Sequence, residues 1–174
     1  MDDTKKCTVC GKNAVFYSNY LRHNLCKKHF ERMLIKRVRG NMVSNGLRGR
    51  AFHIKDENPC GYLFLKFLFE EVEKSEKVDI KSGTLEDFSI AVMKFFLFHD
   101  ETHLRIKEKG SFSPLFNVSE REIESFFQFK NRKVNFITRT GKEKSTLDII
   151  SRIEQRRPGA MISLVKAGIE LNII

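Results

Sequence analysis

The hydrophobic positions of this chain follow two patterns, which alternate along it after residue 50. Apolar residues that recur every three or four positions predict helices, and short runs rich in Val, Ile and Phe predict strands. The predicted helices are LCKKHFERMLIKRVR (25–39), GYLFLKFLFEEVEK (61–74), TLEDFSIAVMKFFLFHD (84–100), NVSEREIESFFQF (117–129), STLDIISRIEQR (145–156) and the segment after Pro158. The predicted strands are AFHIKD (51–56), KVDIK (77–81), HLRIKE (103–108) and KVNFI (133–137). Their alternation predicts an α/β fold with a mostly parallel sheet covered on both sides.

Two of these helices carry a start signal. Thr84 with Asp87, and Ser119 with Glu122, have the three-residue spacing of a capping box. The first box uses Asp where Glu is usual. We therefore expect helices to begin directly after Thr84 and Ser119.

Composition favours a folded protein outside the membrane. Hydrophobic residues make up 41% of the 174 residues and Phe alone accounts for 16, so we expect a packed core. No apolar run reaches the roughly 18 to 20 uncharged residues that a membrane span needs. The N-terminus, MDDTKKCTVC, has no apolar signal region, so we expect a cytoplasmic protein.

Charge is unevenly distributed. Residues 1–55 contain 13 Lys or Arg against 3 Asp or Glu, whereas residues 56–174 contain 19 of each kind. The whole net charge of +10 therefore belongs to the N-terminal third. A basic block of this kind favours binding to a phosphate backbone, and less often to an acidic membrane or protein surface.

The N-terminal cysteines have the spacing of a metal site. Cys7 and Cys10 are separated by two residues, and so are Cys26 and His29. Three thiolates and one imidazole form a closed tetrahedral set for zinc, with no position left for water or substrate. We therefore predict a structural zinc rather than a catalytic one. His23 has a poorer spacing and is predicted to lie on the surface.

The helix after the second ligand pair is basic along one side. Lys28, Arg32, Lys36 and Arg39 recur at helical intervals, opposite an apolar stripe. GNMVSNGLRGR (40–50) then reads as a flexible basic connector. A zinc finger, a basic helix and a basic loop together predict a surface that binds RNA or DNA. The predicted RNA-binding residues are Lys27, Lys28, Arg32, Lys36, Arg37, Arg39, Arg48 and Arg50.

The loop after the first predicted strand is a poor nucleotide site. In a parallel sheet, ligands bind where strands lead into helices, and here that loop is DENPCGY (56–62). A phosphate needs backbone N–H donors and close approach, but this loop has one glycine, a proline and two carboxylates. The degenerate loop consists of Asp56, Glu57, Asn58, Pro59, Cys60 and Gly61. Cys60 is a candidate nucleophile, although a lone loop cysteine is more often structural.

Several segments together resemble a known family. CTVCGKNA, LCKKHF and the following RV resemble the zinc finger that opens the tRNA 2-thiouridine synthetases, a branch of the PP-loop ATPases. TLEDFSIAVMKFFLFHD, SPLFNVSEREIESFFQFKNRKVNFI and RRPGAMISLVKAGIEL are similar, in the same order, to later helices of that family. The resemblance covers most of the chain, and its specific part is the finger. It implies a finger (1–39), a basic linker (40–50) and a PP-loop-like α/β domain (51–174).

The chain also departs from that family. The resemblance places DENPCGY at the phosphate loop, where the family's SGGxDS glycine pair and serine are absent. Only Cys60 remains of the internal cysteines, and a second, C-terminal zinc cluster is missing. The chain therefore looks like a shortened relative that has kept RNA binding and lost catalytic activity. We expect an RNA-binding protein rather than an enzyme.

Three functional interpretations follow. The first is a non-catalytic, zinc-stabilised protein that binds tRNA or rRNA, with a catalytic thiolation paralogue or the ribosome as partner. The second is an active thiolation enzyme with an altered nucleotide loop and Cys60 as sulfur carrier. The third is a DNA-binding regulator, which the absence of base-reading residues at fixed helix offsets disfavours.

Overall fold

The structure, a computed structural model, describes residues 5–18, 21–49, 51–71, 79–100, 104–108 and 111–174. Its helices are α1 (Lys27–Ser44), α2 (Pro59–Leu68), α3 (Leu85–Phe98), α4 (Glu120–Gln128), α5 (Gly141–Arg156) and α6 (Ala160–Glu170). Its strands are β1 (Phe16–Ser18), β2 (His23–Leu25), β3 (Ala51–Phe52), β4 (Ile54–Lys55), β5 (Glu70–Glu71), β6 (Ile80–Lys81), β7 (Lys107–Glu108) and β8 (Ser111–Phe112). The α/β class predicted from the sequence is confirmed.

The sheets are short and mostly parallel. β4, β6 and β8 run parallel with Ile54 opposite Ile80 and Ile80 opposite Phe112, and β7 pairs antiparallel with β8. β3, one residue before β4, pairs in parallel with β5. In the N-terminal part, β1 and β2 form an antiparallel hairpin with Phe16 opposite Leu25. The carboxyl ends of β4, β6 and β8 therefore meet at one edge of the larger sheet.

Both predicted capping boxes are present. The Thr84 N–H donates to Asp87 Oδ2 at 2.8 Å, and the Ser119 N–H donates to Glu122 Oε2 at 3.1 Å. Asn58 caps α2, since its Oδ1 accepts from the Cys60 and Gly61 N–H groups at 3.1 and 3.2 Å. Each of these side chains satisfies backbone donors that the first helical turn leaves without a partner.

Three sequence predictions differ from the structure. KVNFI (133–137) is irregular and not a strand, because its side chains are exposed or half-buried and gain little from pairing with the sheet. The helix predicted to start at Gly61 starts at Pro59 and ends at Leu68, where Glu70–Glu71 pair with β3. α1 continues to Ser44, so the first five residues of the predicted linker are helical. Residues 72–74, 77–78 and 103 of the predicted elements lie outside the described residues.

One hydrophobic core joins the N-terminal hairpin and α1 to the rest. Phe30 of α1 packs against Phe16 at a ring-centroid distance of 4.3 Å and against Phe129, edge to face, at 5.6 Å. Arg37 of α1 adds an ion pair with Glu122 of α4 at 3.0 Å, and both side chains are more than nine-tenths buried. Burial of these aromatic rings fixes α1 against α4. Among the described residues, no helix has the length and apolar character that crossing a bilayer requires.

Gly61 allows α2 to approach the turn after β6. A Cβ at this position would lie 2.1 Å from the Ser82 carbonyl oxygen, which is far inside van der Waals contact. A glycine is therefore required where the first turn of α2 crosses Ser82 and Gly83. This close packing brings the strand ends and the start of α2 into one site.

We predict that Gly61→Ala destabilises the protein by about 2–3 kcal/mol or more, because α2 must move away from Ser82. Gly40→Ala in α1 is the matched control, since a Cβ there meets nothing within 4 Å. Alanine in an open helical position should raise stability by about 0.5–1 kcal/mol. Urea unfolding of both variants measures the difference. Equal stability of Gly61→Ala and the wild type would show that α2 does not pack this closely.

Candidate metal centre, basic helix and strand-end site

Four side chains near the N-terminus converge on one point. The donor atoms of Cys7, Cys10, Cys26 and His29 all lie within 4.8 Å of one another. Cys10 Sγ and Cys26 Sγ are 3.7 Å apart, and His29 Nδ1 lies 3.5 Å from Cys7 Sγ and 3.3 Å from Cys26 Sγ. A tetrahedral ion with 2.3 Å bonds to sulfur separates two sulfur ligands by about 3.8 Å. The group therefore fits a single metal ion, with His29 binding through Nδ1.

Local backbone geometry explains this convergence. Gly11 has a positive φ of 70° and its N–H donates to the Cys7 carbonyl at 2.9 Å, which closes the turn that carries the first pair. Cys26 is the N-cap of α1, and His29 follows three residues later on the same helical face. His23 is exposed and bonded only to the neighbouring Arg22 carbonyl among the described residues, in line with the predicted surface position.

The surroundings of Cys7 favour its thiolate. Burial raises the pKa of Cys7, but hydrogen bonds from the backbone of Cys26, Val9 and Cys10 and from the His29 ring lower it to about 6 overall. A thiolate is the form that binds a metal. This preparation is specific to Cys7: a backbone hydrogen bond from Lys12 lowers the pKa of Cys10, but burial and the neighbouring Cys7 and Cys26 raise it overall.

The basic face of α1 is exposed as predicted. Lys28, Arg32, Lys36 and Arg39 are all exposed, and their side chains have no hydrogen-bond or ion-pair partner among the described residues. They line one open groove with Ile35 and Val43. Arg48 is also exposed and lies beside Arg39 at the far end of α1. We call the set Lys28, Arg32, Lys36 and Arg39 the α1 basic surface.

Two predicted RNA-binding residues of α1 have other roles. Arg37 is buried and bonded to Glu122, to the Asn117 carbonyl at 3.1 Å and to Met33 Sδ, so it is not available to a ligand. Lys27 is exposed, but its Nζ donates to the Phe129 carbonyl. Sequence spacing does not separate them from the exposed cations, because Arg39, like Lys27, lies three residues before a buried residue of α1. Arg50 lies outside the described residues.

The predicted degenerate nucleotide loop does lie at the carboxyl end of β4. Asp56, Glu57 and Asn58 form the connection, and Pro59, Cys60 and Gly61 form the first turn of α2. The N–H groups of Glu57 and Asn58 both donate to Ser82 Oγ at 2.8 Å. These bonds and the Asn58 cap engage the backbone N–H groups. A phosphate bound here would otherwise accept hydrogen bonds from those groups.

A charged cluster lies in front of this loop and forms part of the wall of a cavity of about 360 Å³, which Glu57, Asp87 and Arg139 help to line. Arg139 donates to Asp87 Oδ1 at 2.6 Å and to both Glu120 oxygens at 2.6 and 3.0 Å. Asn58 Nδ2 donates to Asp87 Oδ2 and to Glu120 Oε1, each at 2.8 Å. The four side chains come from distant parts of the sequence and form one network, which we call the strand-end network.

Sequence reasoning did not find this network. Asp87 was recognised only as a capping residue, and Glu120 and Arg139 were not singled out. Arg139 lies in an irregular segment and Glu120 at a helix start, so neither has a local pattern that distinguishes it from a surface charge. The role of Arg139 is evident only from its partners Glu120 and Asp87, which lie 19 and 52 residues before it in the chain.

Cys60 and Glu86 are buried beside the strand-end network. Burial, with the nearby Glu120 and Glu86 carboxylates, raises the pKa of the Cys60 thiol. Its side chain is fully buried, and a protonated buried thiol is a weak nucleophile. Burial and Glu120 raise the pKa of Glu86 from 4.5 to about 8, while Glu86 Oε2 accepts from the Glu120 N–H at 2.9 Å.

Comparisons with known proteins give one informative result. No known protein family matches this chain, and no curated protein does. Among solved structures, the chain is similar to the U34-tRNA thiolase NcsA from Methanococcus maripaludis, solved with its [4Fe-4S] cluster. The TM-score is 0.77 with 14% sequence identity, covering 95% of this chain and 87% of that chain. This chain has a thiolase-like fold.

The shared fold confirms the thiolase-like fold that the family resemblance implied, while the division into a finger, a linker and a PP-loop-like domain stays a prediction. At 14% identity the likeness concerns the fold, and the chemistry has to be read from the residues of this chain. The shortened and degenerate status of the thiolase-like chain stays a prediction.

We predict that Glu86 alone makes the protein less stable as pH rises from about 4.5 to about 8, a contribution opposite in sign to that of the Cys7 thiolate. The folded protein keeps the Glu86 proton in this interval and the unfolded chain releases it, so stability falls by about 1.4 kcal/mol per pH unit from this group. Glu86→Gln should remove that slope and be a few kcal/mol more stable than wild type at pH 8.

Urea unfolding between pH 6 and pH 8 with metal bound measures this effect. Glu170→Gln, at an exposed position of α6, is the matched control and should follow the wild-type slope. If Glu86→Gln also keeps the wild-type slope, Glu86 is ionised in the folded protein.

Proposed function

We propose that this chain is a non-catalytic RNA-binding protein built on a thiolase-like fold, stabilised by zinc, that contacts the RNA backbone through α1. One observation carries the proposal: the backbone donors at the strand ends are bonded to the protein's own side chains, while α1 presents cations without partners among the described residues. A cavity of about 360 Å³ remains beside the strand ends, but the arginine that lines it is already bonded to two carboxylates, whereas the cations of the α1 basic surface are unbonded within the described part of the chain.

The strand-end network opposes nucleotide binding in two ways. Phosphate binding at a helix N-terminus needs unoccupied N–H donors, and here Asn58 and Ser82 accept from them. The facing side chains are mainly carboxylates, and the one Arg among them is already bonded to Asp87 and Glu120. A triphosphate placed here would meet negative charge and would have to displace buried ion pairs.

The α1 basic surface suits a phosphate backbone. Its four cations project from one side of a rigid helix over three turns, so their spacing is fixed before binding. Phosphate contacts of this kind give affinity and salt dependence without reading bases. Among the described residues, the groove that they line contains aliphatic side chains and Glu31, which is paired with Lys130, but no aromatic side chain. This favours the backbone of a folded RNA over stacked single-stranded bases.

The kind of RNA is proposed from the fold likeness. The solved neighbour is a U34-tRNA thiolase, which supports tRNA as the ligand of this chain. The chain would then assist a catalytic thiolation partner, or it would bind rRNA on the ribosome. An active thiolation enzyme is disfavoured by the internally bonded backbone donors at the strand ends and by the buried, protonated Cys60.

We propose zinc as the metal of the Cys7, Cys10, Cys26 and His29 site. The neighbour holds a [4Fe-4S] cluster, in which each protein ligand binds a different iron and the ligand atoms stand further apart. Here all four donor atoms lie within 4.8 Å of one another, and three of the pairs are 3.3–3.7 Å apart, which fits one tetrahedral ion. With four protein ligands, zinc would hold the hairpin and the start of α1 together and supply folding energy.

We predict one zinc and no iron per chain, measured by elemental analysis of the protein purified without oxygen. Cys7→Ser and Cys26→Ser should lose the metal and unfold the N-terminal hairpin, because a single lost ligand leaves the ion weakly held. Cys60→Ser, the control, should keep full zinc content. Iron with a visible absorption band, lost in Cys7→Ser and Cys26→Ser, would contradict the zinc assignment.

We predict that combined alanine substitution of Lys28, Arg32 and Lys36 weakens binding to a folded tRNA. The slope of log affinity against log salt should fall in magnitude by about 2, because about three phosphate contacts are lost. Fluorescence anisotropy at several salt concentrations measures both effects.

The matched control for the triple variant replaces Lys107, Lys133 and Lys144, which are exposed cations elsewhere on the chain. An equal loss of affinity in both triple variants would mean general charge attraction rather than a site on α1. Tighter binding of duplex DNA than of tRNA by the wild type would favour a DNA-binding regulator instead.

We also predict that the protein releases no pyrophosphate from ATP in the presence of Mg²⁺ and tRNA. Pyrophosphate release that is lost on Asp87→Asn would show that the strand-end network takes part in chemistry and would overturn the non-catalytic proposal.

A further inference from the structure

A second cationic site lies on another side of the molecule, where the turn before β2 meets α5 and α6. It is a cavity of about 680 Å³, within the size range of small-ligand sites. Arg22 from that turn, Arg157 from the α5–α6 connection and Lys166 from α6 line it together. We call these three residues and the cavity between them the cationic pocket.

The charge of the cationic pocket is not compensated by the protein. No acidic residue is among the described residues that line it. The side chains of Arg22, Arg157 and Lys166 are exposed and make no hydrogen bond or ion pair with any other described residue. Glu154, the acid nearest to it in α5, accepts from the Gly159 and Met161 N–H groups at 2.8 and 2.9 Å and lines a different cavity.

The fold brings the three cations together from distant positions. Arg22 is 135 residues before Arg157 in the chain, as their numbers show, so no local charge run explains the cluster. Like charges that converge without a counter-ion raise the energy of the free protein, and a bound anion relieves that cost. This is the electrostatic condition of an anion site.

The remaining wall of the cationic pocket is apolar. Met93, Ile150 and Ile162 line it beside the cations. A bare inorganic anion would leave this wall in contact with water, whereas an anion attached to a flat, weakly polar group would cover it. Three cations match a ligand with close to two negative charges, as a phosphate monoester has at pH 7. Arg also pairs well with phosphate oxygens.

We propose that the cationic pocket binds the phosphate monoester of a nucleotide, with the base or ribose against the apolar wall. The source is either the 5′-phosphorylated end of an RNA chain or a free mononucleotide. The site is separate from the strand-end network and from the α1 basic surface. Ligand binding in the cationic pocket therefore requires neither a reaction with ATP nor RNA bound along α1.

The test uses the whole zinc-loaded chain and two short single-stranded RNAs that differ only in a 5′-phosphate or a 5′-hydroxyl. Anisotropy of a 3′-attached dye gives both affinities at fixed salt. The 5′-phosphate should tighten binding at least tenfold, because it adds charge-assisted contacts to two or three cations. Arg157→Gln with Lys166→Gln should abolish this difference. Arg152→Gln with Arg156→Gln, exposed arginines of α5 that do not line the pocket, should retain it.

Competition with AMP then distinguishes the two sources, and both outcomes support the pocket. AMP that displaces the phosphorylated RNA at a concentration near the Kd of that RNA shows that a free nucleotide suffices. AMP that displaces it only at far higher concentration shows that the RNA chain end is the ligand.

Equal affinity for the two RNAs, without AMP binding, would overturn the cationic pocket. Equal losses of affinity for the 5′-phosphorylated RNA in the Arg157/Lys166 variant and in the Arg152/Arg156 control would also overturn it. That result would reflect general surface charge. In either case, tRNA binding that still depends on Lys28, Arg32 and Lys36 would leave the proposed function standing.

Discussion

The arrangement of the strand ends depends on the ion pairs that the Arg139 guanidinium forms. Arg139 joins Asp87 of α3 to Glu120 of α4, and its side chain is only 7% exposed. Without it, two carboxylates would lie close together in a largely buried position, next to Glu86 and below Asn58, and the cost of burying them would be high. The same contact holds the irregular segment before α5 against the sheet edge. Two helices, a loop and the cap of α2 thus share one ionic network.

This network also decides how the fold is used. In an open α/β sheet the strand ends are the usual ligand site, and the thiolase-like fold provides such ends. Here their backbone donors are bonded to Asn58 and Ser82, and their acids are bonded to Arg139. The uncompensated positive charge lies elsewhere, along α1 and around Arg22, Arg157 and Lys166. We therefore propose that this thiolase-like fold presents two binding surfaces in place of a catalytic site.

Local features of this chain could be predicted from its sequence, and features set by distant contacts could not. The four metal ligands and both capping boxes depend on spacings of two or three residues, and the structure brings each set together. KVNFI has the composition of a strand, but the fold leaves this segment exposed or half-buried and without a strand partner among the described residues. Arg37 resembles its basic neighbours in sequence, and only the phase of α1 places it against Glu122. The strand-end network has no sequence pattern, because it joins residues 58, 87, 120 and 139.

The most direct test of the central claim is to cross-link RNA to the protein in living cells and identify the cross-linked peptides and RNA. The account predicts tRNA or rRNA attached to peptides from residues 27–49, with additional cross-links near Arg22, Arg157 or Lys166. It is contradicted if the protein carries no RNA, or if the cross-links are confined to the strand-end site around Asn58, Asp87 and Arg139. The latter result would mean that the strand-end network opens and that the substrate binds where thiolase chemistry would take place.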